Sequence, residues 1–561
     1  MAAEIIQIAI YILTLIAFTP ILGTYIAKVF TGEKTFMTPL VKPIEKTIYN
    51  LCGVNENEGM DWKAYTWAVI LFHVFGFVFL YVIQIFQSWL PLNPNHMPNV
   101  PWDLALNTTV SFVTNTNWQA YGGETTLSYL SQMLGLTVQN FLSAAKGIAV
   151  FLAFTRGLTN KSVSTLGNFW VDIVRSLLYV LIPISIIVSI LLAGQGVVQT
   201  FSPNITATTI QGEKQVLPLG PVASQVAIKQ LGTNGGGFYN ANSAHPYENP
   251  TPISNFLEML ALLLIPAALV YTYGIMIKNK RHAWLLFWVM LGIWVFGLGI
   301  SIWSEYGTAT VKTITALEGQ ETRFGVTNSL IWATATTSAS NGSVNAMHSS
   351  LSPIAGGVAL FNMMLGEIIF GGVGSGLYGM ILFVILTVFL AGLMVGRTPE
   401  YLGKKIEQKE VKMVLAGILL PSIILLIGAG LSCVLPQALL SLSSKGPHGF
   451  SEILYAFTSA SENNGSAFAG LNANTLYFNL FLSLAMLIGR FGVMIPVMMI
   501  AGSMAAKKIT PPSSGTFSTE DTLFAILLVG VIVIVGVLTF FPALSLGPVI
   551  EHLLMLKGRV F

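Results

Sequence analysis

Four polar tetrads recur in an otherwise apolar chain: Thr114-Asn115-Thr116-Asn117, Thr233-Asn234-Gly235-Gly236, Ser340-Asn341-Gly342-Ser343 and Asn463-Asn464-Gly465-Ser466. Each follows a short, mildly apolar segment and lies between two long apolar ones. The second residue is Asn in all four; the third is Gly in three and Thr116 in the first. The chemistry on offer is oxygen ligation. Glycine admits φ > 0, so successive carbonyls can be aimed at one point. Asn and Thr either add side-chain oxygens or brace the loop. A ring of such carbonyls replaces the water around a cation. Matched letter for letter, the candidate ligands are Thr114, Asn115 and Thr116; Thr233, Asn234 and Gly235; Ser340, Asn341 and Gly342; and Asn463, Asn464 and Gly465. One Asn-Gly pair is an ordinary turn, but four in register, each behind a short apolar segment, make a repeat.

Other residues gather around the tetrads. Gln119 and Glu462 belong to the surroundings of the ring. Glu124 and Glu248 lie near loops poor in basic residues. They either draw cations to an outer mouth or are ordinary solvated or capping carboxylates. Gly371-Gly372-Val373-Gly374-Ser375-Gly376 should break a spanning helix and is a candidate gate with Gly371, Gly372, Gly374 and Gly376; the alternative is a close helix-packing patch. Gly374 to Gly379 also matches G-x-G-x-x-G, but no strand precedes it, so a dinucleotide site is rejected. Arg490 sits mid-helix, where a cation is costly and points to function. It faces the path below the ring as a barrier, pairs with Glu367, or snorkels. Lys146 is a weaker case, placed nearer the cytoplasmic end.

The elements that must hold these residues are membrane helices. The 561 residues are 53% hydrophobic and 9% charged, with mean hydropathy +0.71, against about 25% charged in a soluble domain. Stretches near 5–28, 64–90, 128–155, 169–195, 253–277, 283–304, 351–395 (interrupted), 411–435, 472–503 and 521–543 are long enough to span. Segments 103–113, 222–232, 328–338 and 451–461 are too short and read as re-entrant half-helices. The expected architecture is an all-α membrane protein with ten transmembrane helices, and four pseudo-symmetric helix–pore-loop–helix units around a central ion pathway. The units run 63–160, 161–280, 281–400 (with a broken second helix) and 401–508, flanked by a first helix and loop, 1–62, and a last helix and tail, 509–561.

Lysine and arginine cluster on one side of this topology, at Lys28, Lys34, Lys42, Lys46, Arg156, Lys161, Arg175, Lys278, Lys280, Arg281, Arg397, Lys404, Lys405, Lys409, Lys412, Lys507 and Lys508. Lys214, Lys229, Lys312, Arg323, Lys445, Lys557 and Arg559 fall on the other. The first side is therefore cytoplasmic, the four loops enter from outside, and both termini are extracytoplasmic. The apolar N-terminal stretch has no basic n-region and reads as a retained helix.

Several functions are excluded. The net charge of +3 is spread over short loops, which gives nucleic-acid binding no support. No G-x-x-x-x-G-K-[ST] loop and no Asp-Lys-Thr-Gly phosphorylation motif is present, so the chain does not hydrolyse ATP by either route. The two cysteines, Cys52 and Cys433, fall near opposite faces, against a disulfide or cysteine metal site.

Thr114-Asn-Thr-Asn-Trp-Gln119, Thr233-Asn-Gly-Gly-Gly-Phe238, Asn341-Gly-Ser-Val-Asn-Ala-Met347 and Ser461-Glu-Asn-Asn-Gly-Ser-Ala-Phe468 resemble the pore loops of the KdpA family. These are the potassium-binding subunits of the Kdp potassium-transporting ATPases of bacteria and archaea. The resemblance spans essentially the whole chain, including Gly396-Arg-Thr-Pro-Glu-Tyr401. It implies potassium as the transported ion, with no catalytic cofactor. It also implies a non-hydrolytic role beside an ATP-hydrolysing P-type catalytic subunit, a small single-span subunit and a short membrane peptide, in a bacterial or archaeal inner membrane. The basic stretch from Arg397 to Lys412 is expected either to meet the cytosolic partner or simply to reflect the topology. The rival readings are an autonomous Trk/Ktr-like channel or symporter, built on the same loops, and a membrane scaffold whose loops do not converge.

Overall fold

A computed structural model describes residues 2–307, 317–394, 396, 398–510 and 517–559; Lys312 and Arg397 lie outside the described residues. The chain is mostly helical. Ten helices among the described residues are long and apolar enough to cross a membrane: Ala3–Thr31, Trp62–Ile85, Ser131–Thr159, Phe169–Gly194, Pro252–Met276, Lys280–Gly307, Ser375–Met394, Gln408–Ser432, Leu476–Ala505 and Thr522–Met555. They fall where the apolar stretches predict. The seventh stretch is divided into Pro353–Met364 and Ser375–Met394, and the break between them ends in the glycine run. Each predicted half-helix is present: Trp102–Val113, Val222–Leu231, Val326–Ser338 and Gly446–Ser461.

Lipid tails compete with apolar side chains for apolar contacts, so small residues and hydrogen bonds do much of the joining between spans. A side chain at Gly157 would collide with Ala501, and one at Gly489 with the Ser461 carbonyl. Gly147 and Gly374 each approach the other's segment at backbone distance. Tyr11 donates to the Met259 carbonyl at 3.0 Å, and Thr272 to that of Gly23 at 3.0 Å, tying the first helix to Pro252–Met276.

Three elements were not legible as such. The basic stretch after the first span is an amphipathic helix, Thr38–Cys52. Val41, Glu45 and Tyr49 are buried on one face, while Phe36 (just before the helix), Leu40, Ile44 and Leu51 stay exposed. Glu45 accepts from Arg175 Nε, Tyr49 and Tyr179, each at 2.9 Å. Ile205–Thr208 and Lys214–Leu217 form an antiparallel ribbon. Glu400–Tyr401 pairs with Lys404–Lys405 in a small hairpin that buries Tyr401 and Lys404 completely. Lys404 Nζ donates to the carbonyls of Gly157 (3.0 Å), Asn160 (2.5 Å) and Met504 (2.7 Å). This corrects one expectation: Lys404 caps helix ends and is not available to a cytosolic partner.

Candidate ion-binding site

The four half-helices end in the same backbone turn. The amides of Thr116, Asn234, Asn341 and Asn464 each return to the carbonyl five residues back, at Ser111 (2.9 Å), Lys229 (2.8 Å), Thr336 (3.2 Å) and Ser459 (2.8 Å). The residue before each is left-handed: Asn115 (φ +66°), Thr233 (+48°), Ser340 (+53°) and Asn463 (+61°). So is the residue after: Asn117 (+58°), Gly235 (+82°), Gly342 (+84°) and Gly465 (+101°).

This geometry corrects the letter-for-letter match in the first loop by one residue. Thr116, not Asn115, stands with Asn234, Asn341 and Asn464, and Asn117 takes the place of the three glycines. Thr114 corresponds to the cap residues Gly232, Ala339 and Glu462. The substitution is physically cheap, because Asn is among the non-glycine residues that most readily adopt αL. Asn117 is the ring residue that letter matching missed.

The loops close on one another. A side chain at Gly235 would strike the Asn341 carbonyl, one at Gly342 the Asn464 carbonyl, and one at Gly465 the Thr116 carbonyl. Loops two, three, four and one are thus joined in sequence. Between one and two, Asn115 Nδ2 donates to the Thr233 carbonyl at 2.9 Å; the Asn115 and Asn234 amides also meet, beside Ser143. Ser340 Oγ donates to the Asn463 carbonyl at 2.8 Å, and Asn463 Nδ2 to Thr116 Oγ1 at 2.9 Å. The scaffold reading, which requires loops that do not converge, fails on this point.

The structure also decides between ligand and brace for two asparagines. Asn341 Nδ2 donates to the Lys229 carbonyl (3.2 Å) while its Oδ1 accepts from the Ser343 amide (2.8 Å). Asn464 Nδ2 donates to the Thr336 carbonyl (2.8 Å) and to Glu367 Oε1 (2.6 Å), and its Oδ1 accepts from the Ser466 amide (3.0 Å). Both amides hold the loop, which leaves main-chain oxygens for a cation.

Outside the ring lies a vestibule of about 490 Å³ lined by Asn117, Gly235, Gly342 and Gly465, one from each loop, with Gln119, Asn240 and Asn242 among its walls. No Asp or Glu is among its described lining residues, which favours the capping reading of Glu124 and Glu248. Glu248 is fully buried and forms an ion pair with Lys229, also fully buried; it accepts from the amides of Phe238 (2.6 Å) and Tyr239 (3.0 Å). Lys229 is therefore no surface charge. Glu124 accepts from the Asn240 amide at 2.9 Å. Gln119 spans two loops: its Nε2 donates to the Gly237 carbonyl (3.1 Å) and its Oε1 accepts from the Gly237 amide (2.9 Å).

The other side of the ring is nearly shut. A cavity of about 40 Å³ there is lined by Ser340, Glu367, Tyr378, Glu462, Asn463 and Arg490, among others, room for a few waters at most. The helix break presses against the loops: the Val373 amide donates to Thr233 Oγ1 at 2.9 Å, and Gly372 faces Ser340. Of the four candidate gate glycines, Gly371 and Gly376 pack backbone to backbone, while Gly374 abuts Gly147. Arg490 Nε donates to the Thr114 carbonyl at 2.5 Å; no ion pair with Glu367 is found among the described residues, and Glu367 Oε1 accepts from Asn464. Lys146 is placed higher than expected, donating to the Val113 carbonyl (3.1 Å) and contacting His73 Nε2 (2.7 Å). Lys146 and Arg490 thus satisfy the terminal carbonyls of the first half-helix. His73 had no sequence signal, since only the fold brings it to Lys146.

Comparison with known proteins identifies the chain. The family model described as "KdpA: Potassium-transporting ATPase A subunit" matches residues 9–553. The chain belongs to the KdpA family. Among KdpA relatives, a potassium-transporting ATPase potassium-binding subunit of Leptospira interrogans is 54% identical over 565 residues, covering 100% of both chains. One from Bradyrhizobium diazoefficiens is 54% identical over 560 residues, covering 99% of each. The crystal structure of the potassium transporter TrkH from Vibrio parahaemolyticus superposes with a TM-score of 0.54 at 13% identity, over 87% of this KdpA chain and 96% of TrkH. At that identity the likeness concerns the fold alone.

Proposed function

We propose that this chain is the potassium-binding, potassium-selective translocating subunit of an ATP-driven import complex. The observation that carries the reading is the ring: four loops of equal backbone conformation, each glycine or Asn117 at its outer edge, closed by contacts between neighbours, in a member of the KdpA family. Potassium is the cargo, held by main-chain oxygens of Asn115 to Asn117, Thr233 to Gly235, Ser340 to Gly342 and Asn463 to Gly465. The chain itself hydrolyses nothing. ATP is spent by a P-type catalytic subunit, and a small single-span subunit and a short membrane peptide complete the assembly. The complex sits in a bacterial or archaeal inner membrane with both termini of this chain extracytoplasmic, which is the orientation the lysine and arginine distribution favours. The units 63–160, 161–280, 281–400 and 401–508 act as the four staves of one pore.

The autonomous Trk/Ktr-like reading shares the ring but asks for an open underside. The helix break pressed against Thr233 and Ser340, and Arg490 bonded to the Thr114 carbonyl, disfavour free passage. The test is potassium-stimulated ATP hydrolysis by the assembled complex. Gly342→Asp raises the potassium concentration for half-maximal stimulation by at least about tenfold, worth 1.4 kcal/mol; an unchanged value defeats the assignment. Rapid flux through the purified chain alone in liposomes would favour the rival.

A further inference from the structure

Outside the ring, against its second and third loops, lies a buried polar cluster that ion binding leaves unexplained. The helix Pro252–Met276 presents Asn255 and Glu258, 2% and 0% exposed. Glu258 Oε2 accepts two hydrogen bonds, from Ser243 Oγ at 2.7 Å and Gln230 Nε2 at 2.9 Å. Its Oε1 has no partner among the described residues.

Each of those bonds leads to a different loop. Along one arm, Gln230 Oε1 accepts from Ser343 Oγ at 2.9 Å, and the Ser343 amide donates to Asn341 Oδ1 at 2.8 Å. That arm ends in the third loop. Along the other, the Ser243 amide donates to Asn242 Oδ1 at 2.8 Å. Lys229 Nζ donates to Asn242 Oδ1 at 2.7 Å, and Asn242 Nδ2 to the Gly235 carbonyl at 2.6 Å. That arm ends in the second loop. Asn255 repeats the pattern one turn away, its Oδ1 accepting from Asn249 and Asn345, each at 3.0 Å.

We propose that Glu258 is a positioning residue that sets the spacing of the second and third loops, and so the ion size the ring accepts. The inference rests on the ring being the potassium site. Selectivity among monovalent cations depends on the spacing and stiffness of ring oxygens. Hydrogen bonds between buried groups are stronger than in water and hold their partners in place. Its one doubly used oxygen adds a further tie between two loops that also meet where Gly235 abuts Asn341 and where Asn341 Nδ2 donates to the Lys229 carbonyl.

The experiment measures potassium, rubidium and ammonium stimulation of ATP hydrolysis in the assembled complex. Glu258→Leu removes the shared acceptor; Glu258→Gln keeps an oxygen that can receive both bonds. The expected result for Glu258→Leu is a half-saturating potassium concentration raised about tenfold, turnover at saturation within about twofold, and potassium discrimination over rubidium and ammonium reduced about fivefold. Glu258→Gln stays within about twofold of the parent on all three measures. Equal loss in both variants overturns the proposal, as does a fall in turnover or thermal stability with the ion ratios unmoved. If Glu258→Leu does not assemble, Ser243→Ala and Ser343→Ala cut the two arms separately. Each should shift the ion ratios in the same direction by a smaller factor, and no shift in either overturns the proposal. Gly342→Asp, run alongside, separates the two ideas: if it weakens potassium stimulation while the cluster variants do not, only the role of Glu258 falls.

Discussion

The Thr116 carbonyl oxygen occupies the space that a side chain on Gly465 would need. The contact joins the first loop to the last, and the same relation holds between Gly342 and Asn464 and between Gly235 and Asn341. Gly465 also has φ +101°, a conformation that costs other residues about 1–3 kcal/mol. Gly465→Ala should therefore part loops one and four, with the complex still assembled and half-maximal stimulation moved to potassium concentrations at least about tenfold higher. Potassium titration of ATP hydrolysis checks this; an unaltered titration shows that the approach is irrelevant to the ion.

Asn117 tests the corrected register. It holds φ +58° in the place of a glycine, and its Nδ2 donates to Asn140 Oδ1 at 2.6 Å. Asn117→Gly should keep potassium affinity while losing about 1 kcal/mol of stability with that bond. Asn117→Val puts a β-branched residue where φ is positive, so both affinity and melting temperature should fall. If Val is tolerated as well as Gly, the assignment of Asn117 to the glycine layer is wrong.

How much of this was legible beforehand depended on the range of the signal. The ten spans and four half-helices follow from hydropathy and length, which are local. The break at Gly371 to Gly376 is local too. The register of the first loop was not: Asn115 matches by letter, but the cap at Thr114 decides the geometry, and caps are set by backbone hydrogen bonds that letters do not show. Thr38–Cys52 was hidden because its buried face holds Glu45 and its sequence holds two lysines and two prolines. Glu462 adjoins its tetrad and Glu248 follows its own further along the chain, yet neither spacing shows that one is paired behind the second loop and the other lines the cavity below. Only packing distinguishes those sides.

Arg490 bonds to the Thr114 carbonyl beneath the first loop, and we propose that it acts there as a barrier. Arg490→Met removes that cation and leaves the cavity of about 40 Å³ without its positive wall. Reconstituted complex carrying this change should leak potassium in the absence of ATP, read as dissipation of a potassium gradient in liposomes. Membranes that stay as tight as with the parent protein would rule out a barrier role.

His448 offers a pH-dependent prediction. Burial alone would lower its pKa, but the hydrogen bond and charge of Glu551, 2.8 Å away, outweigh that and raise it. A raised histidine pKa stabilises the fold below the unfolded value near 6.5. That contribution is lost as pH climbs through the folded value. Protection from hydrogen exchange over 545–555, corrected for the intrinsic pH dependence of amide exchange, should fall between mildly acidic and mildly alkaline pH, and Glu551→Gln should abolish the difference. Equal pH sensitivity in the variant would assign the effect elsewhere.

The bond from Asn463 to Thr116 spans 347 residues of chain. A membrane protein made from its N-terminus inserts the first hairpin long before the fourth exists, so the first loop must wait, hydrated, for the last quarter of the polypeptide. No truncated or stalled product can carry a finished ring. Mutations far downstream, in 446–466, should therefore be felt during biogenesis as exposure of the first hairpin to quality-control proteases.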